Sequence, residues 1–138
     1  MTYQILCGYD GSAAAEKAFD FAVTLAKAFA GQLHVLAVAH PPEPPEDIET
    51  EAVLESAEEH FNKEFDRLRA RAAAAGVVTT FEVSAGHPAE QILYHADRLK
   101  ADQIVLGHRG KNKFKRWLMG SVSQRVISYA TSTVTVVR

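Results

Sequence analysis

The sequence predicts an α/β fold, in which one five-stranded parallel sheet carries helices on both faces. Three observations lead there. Short, almost unbroken apolar runs recur along the chain, as strands covered on both faces require. Amphipathic stretches with apolar residues three and four positions apart alternate with those runs. The chain has 138 residues, a length that fits one domain spanning 1–138, since domains hold roughly 100 to 200 residues. Parallel neighbours need crossovers, crossovers are right-handed, and a βαβαβαβαβ order then covers its own sheet.

The elements follow in order. Gln4 to Gly8 is a short apolar strand, and Asp10-Gly11-Ser12 is a turn in which Ser12 can cap the next helix. That helix presents Ala18, Ala22, Leu25 and Phe29 on one face, with Gly31 placed to end it in the left-handed conformation. Leu33 to Ala39 is a second buried strand. The following His40-Pro-Pro-Glu-Pro-Pro breaks regular structure, because proline lacks a donor and forces its predecessor to be extended. A long helix from Ile48 then carries Leu54, Ala57, Phe61, Phe65, Leu68, Ala72 and Ala75 inward and most of the acidic charge outward, closing at Gly76. Val77 to Val83 is a third strand. Pro88 in a first turn, with Glu90 three residues after a cap at His87, opens a helix whose apolar face is Ile92, Leu93, Ala96 and Leu99. Gln103 to Leu106 is the fourth strand, Ser121 to Gln124 has the form of a capping box, and Thr133 to Val137 is the last strand.

Composition narrows the class. Hydrophobic residues are 47% and charged residues 23% of the chain, which argues against disordered, collagenous or disulfide-framework proteins. A single cysteine, Cys7, has no internal partner, so a reducing compartment is expected. It lies within an apolar strand, where a buried, inert thiol is expected. The first residues lack a basic n-region, and no stretch approaches the roughly 18 apolar residues of a membrane span, so a cytoplasmic protein with no membrane role is expected.

The net charge of −2 hides an asymmetry. Residues 1–102 hold all 17 acidic side chains against 8 Lys or Arg, a balance of −9, whereas 103–138 hold 7 basic residues and no acid. Such a segment suits an anion, or is a solvated basic loop.

In open α/β sheets ligands bind beyond the carboxyl ends of the strands, where the winding reverses. The loop after Leu106 stands out there: Gly107-His108-Arg109-Gly110, then Lys111 to Met119, then Gly120-Ser121 at a helix start. Glycines let backbone N–H groups approach an anion, and a helix N-terminus adds unsatisfied donors and partial positive charge. Lys111, Lys113, Lys115 and Arg116 add charge, directed at a triphosphate or simply solvated.

This G-2x-G-9x-G-S spacing, with Asp10-Gly11-Ser12 after the first strand and Gly120-Ser121-Val122 leading toward a valine-rich last strand, resembles the ATP-binding branch of the universal stress protein family. The resemblance covers nearly the whole chain. It implies a Rossmann-like sheet in the order 3-2-1-4-5 and an ATP site in which Asp10 and Val38 flank the adenine and ribose. Gly107, following Leu106, would contact the ribose, while Gly110, Gly120, Ser121 and Val122 would hold the phosphates. Mg²⁺ would be held through phosphate oxygens, because residues 103–138 offer no carboxylate. The resemblance further implies a regulatory protein of the stress response that couples nucleotide occupancy to an unidentified protein partner, and a homodimer through Thr133, Val134 and Val136 of the last strand. Two positions depart from the family pattern: His108 replaces a common Ser or Thr, and Thr133 replaces a common proline.

Other classes have less support. The chain has no G-x-x-x-x-G-K-[ST] and no G-x-G-x-x-G after the first strand, so neither a P-loop NTPase nor a dinucleotide enzyme is expected. Its six histidines lack metal-ligand spacing, and no metal site is expected. Phe114 and Trp117 among basic residues could stack on single-stranded nucleic acid but equally anchor a loop, and nucleic-acid binding is not expected. Ser12 and Ser121 lack a His and Asp pairing and serve as caps, so no catalytic residue is assigned. Two alternatives remain: a slow ATP hydrolase or phosphotransferase, which needs a positioned base and a metal carboxylate, and a dimeric interaction protein with an empty pocket.

Overall fold

The computed structural model describes residues 2–41, 47–108 and 121–138. Strands β1 (Gln4–Gly8), β2 (Gln32–Ala39), β3 (Val78–Ala85), β4 (Gln103–Gly107) and β5 (Thr133–Val137) alternate with helices α1 (Ala13–Phe29), α2 (Asp47–Ala74), α3 (Pro88–Leu99) and α4 (Ser121–Tyr129). The sheet is parallel throughout, in the order β3-β2-β1-β4-β5. That is the order expected of the Rossmann-like fold.

Strand residues point alternately to the two faces, and both faces are apolar, which is why the central strands read as continuous hydrophobic runs. Ile5, Cys7, Leu33, Val35 and Val105 join Ala18, Phe19, Ala22, Phe65 and Leu68 in a core beneath α1 and α2. Leu6, Leu36, Ile104 and Leu106 join Ala89, Ile92, Ala96 and Val126 in a second core beneath α3 and α4. Burying one such Leu, Ile or Phe side chain contributes about 1.5–3 kcal/mol relative to leaving it exposed. Cys7 is fully buried, and burial pushes its thiol up to about 12, in keeping with an inert sulfur.

Several local expectations change. The left-handed residue ending α1 is Ala30 (φ 51°), not Gly31. Gly31 is needed for another reason: a Cβ there would lie 2.6 Å from the Tyr3 carbonyl oxygen. The buried stripe of α1 is Ala15, Ala18, Phe19, Ala22 and Ala26. Leu25 is only partly buried, and Phe29 is 54% exposed, stacked on Tyr3 with ring centroids 4.6 Å apart. His87 caps α3 through its extended backbone without a side-chain hydrogen bond, so no capping box forms, and Glu90 instead faces Arg125 at 3.5 Å. The α3 stripe includes His95, whereas Leu93 and Leu99 lie at its edge. β3 is an edge strand that runs two residues beyond Val83, with Val78 exposed at its start. Gly76 does adopt positive φ (74°) after α2.

Candidate functional site

Sheet order dictates where a ligand can enter. From β1 the chain winds outward to β2 and β3, then returns to lay β4 on the other side of β1, so the helices diverge at the carboxyl ends of β1 and β4. A cavity of about 210 Å³ opens there. Its base is Gly8, Leu36, Val38, Leu106 and Gly107 in the carboxyl halves of the strands, and its walls include Pro88 and Ile92 of α3. Tyr9, Asp10, Ala15, His108 and the first turn of α4, Ser121 to Ser123, complete the rim.

Six residues expected at the site therefore line one cavity: Asp10, Val38, Leu106, Gly107, Ser121 and Val122. Gly110 and Gly120, and the basic stretch from Lys111 to Arg116 with Phe114 and Trp117, lie outside the described residues. Tyr9, Leu36, Pro88, Ile92 and Ser123 also line the cavity and were not anticipated as site residues. Period-two alternation was the available signal for Leu36, which shares the Val38 face.

The turn carrying Asp10 is tightly specified. Gly11 has φ 82°, a conformation that L side chains rarely adopt. The Ser12 backbone N–H donates to Asp10 Oδ1 at 2.9 Å, closing an Asx turn. Ser12 Oγ in turn accepts from the Ala15 N–H at 3.0 Å, capping α1 as expected. Asp10 is thereby aimed from the start of α1 into a cavity whose floor is apolar.

Two glycines in the floor are there for packing. A Cβ on Gly8 would lie 2.8 Å from Leu106 Cδ2 and 3.3 Å from Ile92 Cδ1. On Gly107 it would lie 2.8 Å from the carbonyl carbon and oxygen of Ala14. Gly107, expected as a ligand contact, thus also lets the first turn of α1 approach β4. Beside it the His108 backbone N–H donates to the Val137 carbonyl at 2.7 Å, carrying the sheet one residue further, and His108 borders the cavity.

One wall continues into a charged network between α1 and α2. The Tyr9 hydroxyl is 2.9 Å from Glu16 Oε1 and 3.1 Å from Glu64 Oε2. Arg67 bonds both carboxylates, and Arg71 bonds Glu16 at 2.8 Å and also Asp20. Burial raises the Glu16 pKa, but hydrogen bonds from Arg67, Arg71 and Tyr9 outweigh it and hold the carboxyl at about 2. Glu64 is lowered chiefly by its bond from Arg67. The Tyr9 hydroxyl is pushed well up, first by burial and then by the two carboxylates.

Chemically, the cavity joins an apolar slot to a carboxylate and to the N-terminal turn of a nine-residue helix. An aromatic base suits the slot, a ribose hydroxyl can donate to Asp10, and an anion suits the helix start. Among the described residues no group of three or more His, Cys, Asp or Glu is placed to hold a metal ion. Among them, too, no helix is long and apolar enough to cross a membrane.

Comparison with known proteins agrees with this architecture. The model of the universal stress protein family matches residues 1–138. A universal stress protein of Thermus aquaticus is 36% identical over 136 residues, covering 97% of each chain. Among solved structures, universal stress protein UspA from Lactobacillus plantarum superposes with a TM-score of 0.85 at 28% identity, covering 99% of this chain and 97% of its own. Another universal stress protein, solved in complex with cAMP, shares the fold at a TM-score of 0.68 and 24% identity, covering 99% of this chain and 97% of its own.

Proposed function

The chain belongs to the universal stress protein family, and on that premise we propose that it is an ATP-binding regulatory protein whose nucleotide occupancy governs its interaction with a protein partner in a stress response. The observation that carries this reading is the convergence of Asp10, Val38, Leu106, Gly107, Ser121 and Val122 on one cavity at the reversal point of the sheet. Leu36, Val38, Ile92 and Leu106 would enclose the adenine, and Asp10, held by Ser12, would accept from the ribose. Gly110, Gly120, Ser121 and Val122 would hold the phosphates. Mg²⁺ would be carried on the phosphates, since residues 103–138 contain no acid to bind it. Bound ATP would supply phosphoanhydride chemistry, but among the described residues Asp10 is the one acid lining the cavity, and in this reading it would serve the ribose. The role is therefore sensing, with slow or incidental turnover.

Supporting considerations are the apolar slot, the helix start and family membership. The reading includes a homodimer through Thr133, Val134 and Val136 of β5, an edge strand, and a cytoplasmic location in line with the single buried thiol. The experiment is to denature freshly purified protein and resolve the released small molecules on an anion-exchange column. ATP in near-stoichiometric amount supports the proposal. Release of cAMP, the ligand of the structural neighbour, would redirect it to a cyclic nucleotide, and a protein that carries no nucleotide and takes up none on incubation with Mg-ATP would refute it.

A further inference from the structure

Tyr9 joins the cavity to the α1–α2 face of the molecule. Only 3% exposed, it belongs to the core beneath those helices, its ring tilted against Phe65 with centroids 6.2 Å apart. It also lines the cavity, next to Asp10. Its backbone N–H donates to the Leu36 carbonyl at 2.9 Å, tying the turn to β2. At the far end of the side chain, Glu16 of α1 and Glu64 of α2 lie at 2.9 and 3.1 Å from its hydroxyl, and Arg67 Nη2 lies at 3.4 Å. One phenolic proton serves one carboxylate at a time, so Arg67, which bonds both carboxylates, completes the arrangement. The start of the β1–α1 turn, the first turn of α1 and the middle of α2 thus meet at one oxygen atom.

Resting on the reading that the cavity takes an adenine nucleotide, we propose that Tyr9 is a positioning residue for that ligand: its hydroxyl, held by Glu16, Glu64 and Arg67, fixes the turn presenting Asp10 and ties occupancy of the cavity to the seating of α2. Asp10 follows Tyr9 directly, and Gly11, with no side chain to restrain it, follows Asp10. The Ser12 N–H orients the Asp10 carboxylate within the turn, and where that turn sits over the cavity depends in addition on what anchors the residue before Asp10. A phenol fixed at its backbone by Leu36 and at its hydroxyl by α2 supplies that anchor. Because coupling free energies are reciprocal, a ligand that orders Asp10 must favour the arrangement in which α2 holds Tyr9.

The test uses the full chain with Mg-ATP as probe. Tyr9→Phe keeps the ring and its packing on Phe65 and removes only the hydroxyl. ATP affinity should fall about 5- to 10-fold, the worth of one hydrogen bond. Arg67 is half exposed and is not among the residues lining the cavity, so Arg67→Met can reach the ligand only through the network. It should weaken ATP binding in the same direction, and the double variant should be no weaker than Tyr9→Phe alone to within about 2-fold, the signature of shared coupling. In the parent, ATP should slow amide hydrogen exchange across 61–68 of α2, and in Tyr9→Phe that response should disappear. Variants that bind ATP like the parent, losses that simply add, or an α2 response unchanged in Tyr9→Phe would overturn the proposal while leaving the nucleotide site standing. A parent that binds no ATP would overturn the nucleotide reading, and the proposal with it.

Discussion

Gly107 lies so close beneath Ala14 that a side chain on it would put a Cβ 2.8 Å from the Ala14 carbonyl. Contact with backbone cannot be relieved by a rotamer change, so α1 would have to move. Gly107→Ala should therefore destabilise the protein by about 1–3 kcal/mol, the usual cost of overpacking. Urea unfolding should show a lower midpoint at unchanged slope. Parent-like stability would mean that α1 sits farther from β4 than this contact requires.

Stability at acid pH should report on Glu16. Its folded pKa of about 2 lies below the ordinary 4.5. A depressed acid contributes stability that is present above its unfolded pKa and lost as pH falls through its folded pKa. Part of the protein's stability should fade between about pH 4.5 and 2. Glu16→Gln should be less stable at neutral pH, and its loss in that window should be shallower. Thermal melts across the range, parent against variant, make the measurement. Parallel curves would show that Arg67 and Arg71 leave Glu16 unperturbed.

Catalysis should be slow. Among the described residues the one acid lining the cavity is Asp10, which the proposal assigns to the ribose, so turnover should fall far below the typical enzyme rate of about 10 per second. Asp10→Asn should weaken ATP binding. A rapid ATPase in pure protein that survives Asp10→Asn would favour the enzyme alternative.

Assembly should depend on β5. The strand pairs with β4 on one side only, leaving its outer backbone groups without a strand partner in the sheet. By register Val136 sits beside Leu106, on the α3 and α4 face. Light scattering at micromolar concentration should give twice the chain mass for the parent and a shift toward monomer for Val136→Arg, which would bury an unpaired charge. A monomeric parent would refute the β5 dimer.

The sheet was legible in the sequence because β1, β2 and β4 are buried on both faces, and continuous apolar runs such as Ile5 to Cys7 follow directly. The cavity was legible in outline because Asp10, Val38 and Gly107 lie at or just beyond strand ends, where a parallel sheet must bind its ligands. What periodicity could not supply was long-range geometry. The burial of Ala26, where Leu25 was expected, turns on how α1 is rotated about its axis against the sheet, neighbouring helical residues pointing about 100° apart. Nothing near Tyr9 in sequence announces Glu64 and Arg67, which reach it only when α2 packs beside α1. Gly107 read as a ligand glycine because its clash with Ala14 spans most of the chain.

Isothermal titration of Mg-ATP into the parent, and into Gly110→Val and Gly120→Val, tests the nucleotide site most directly. In the proposed cradle a Cβ at either glycine would occupy the space through which backbone N–H groups approach the phosphates. The parent should bind saturably and one-to-one, with binding abolished in both variants while their thermal unfolding stays parent-like. Both variants binding ATP as tightly as the parent would contradict it.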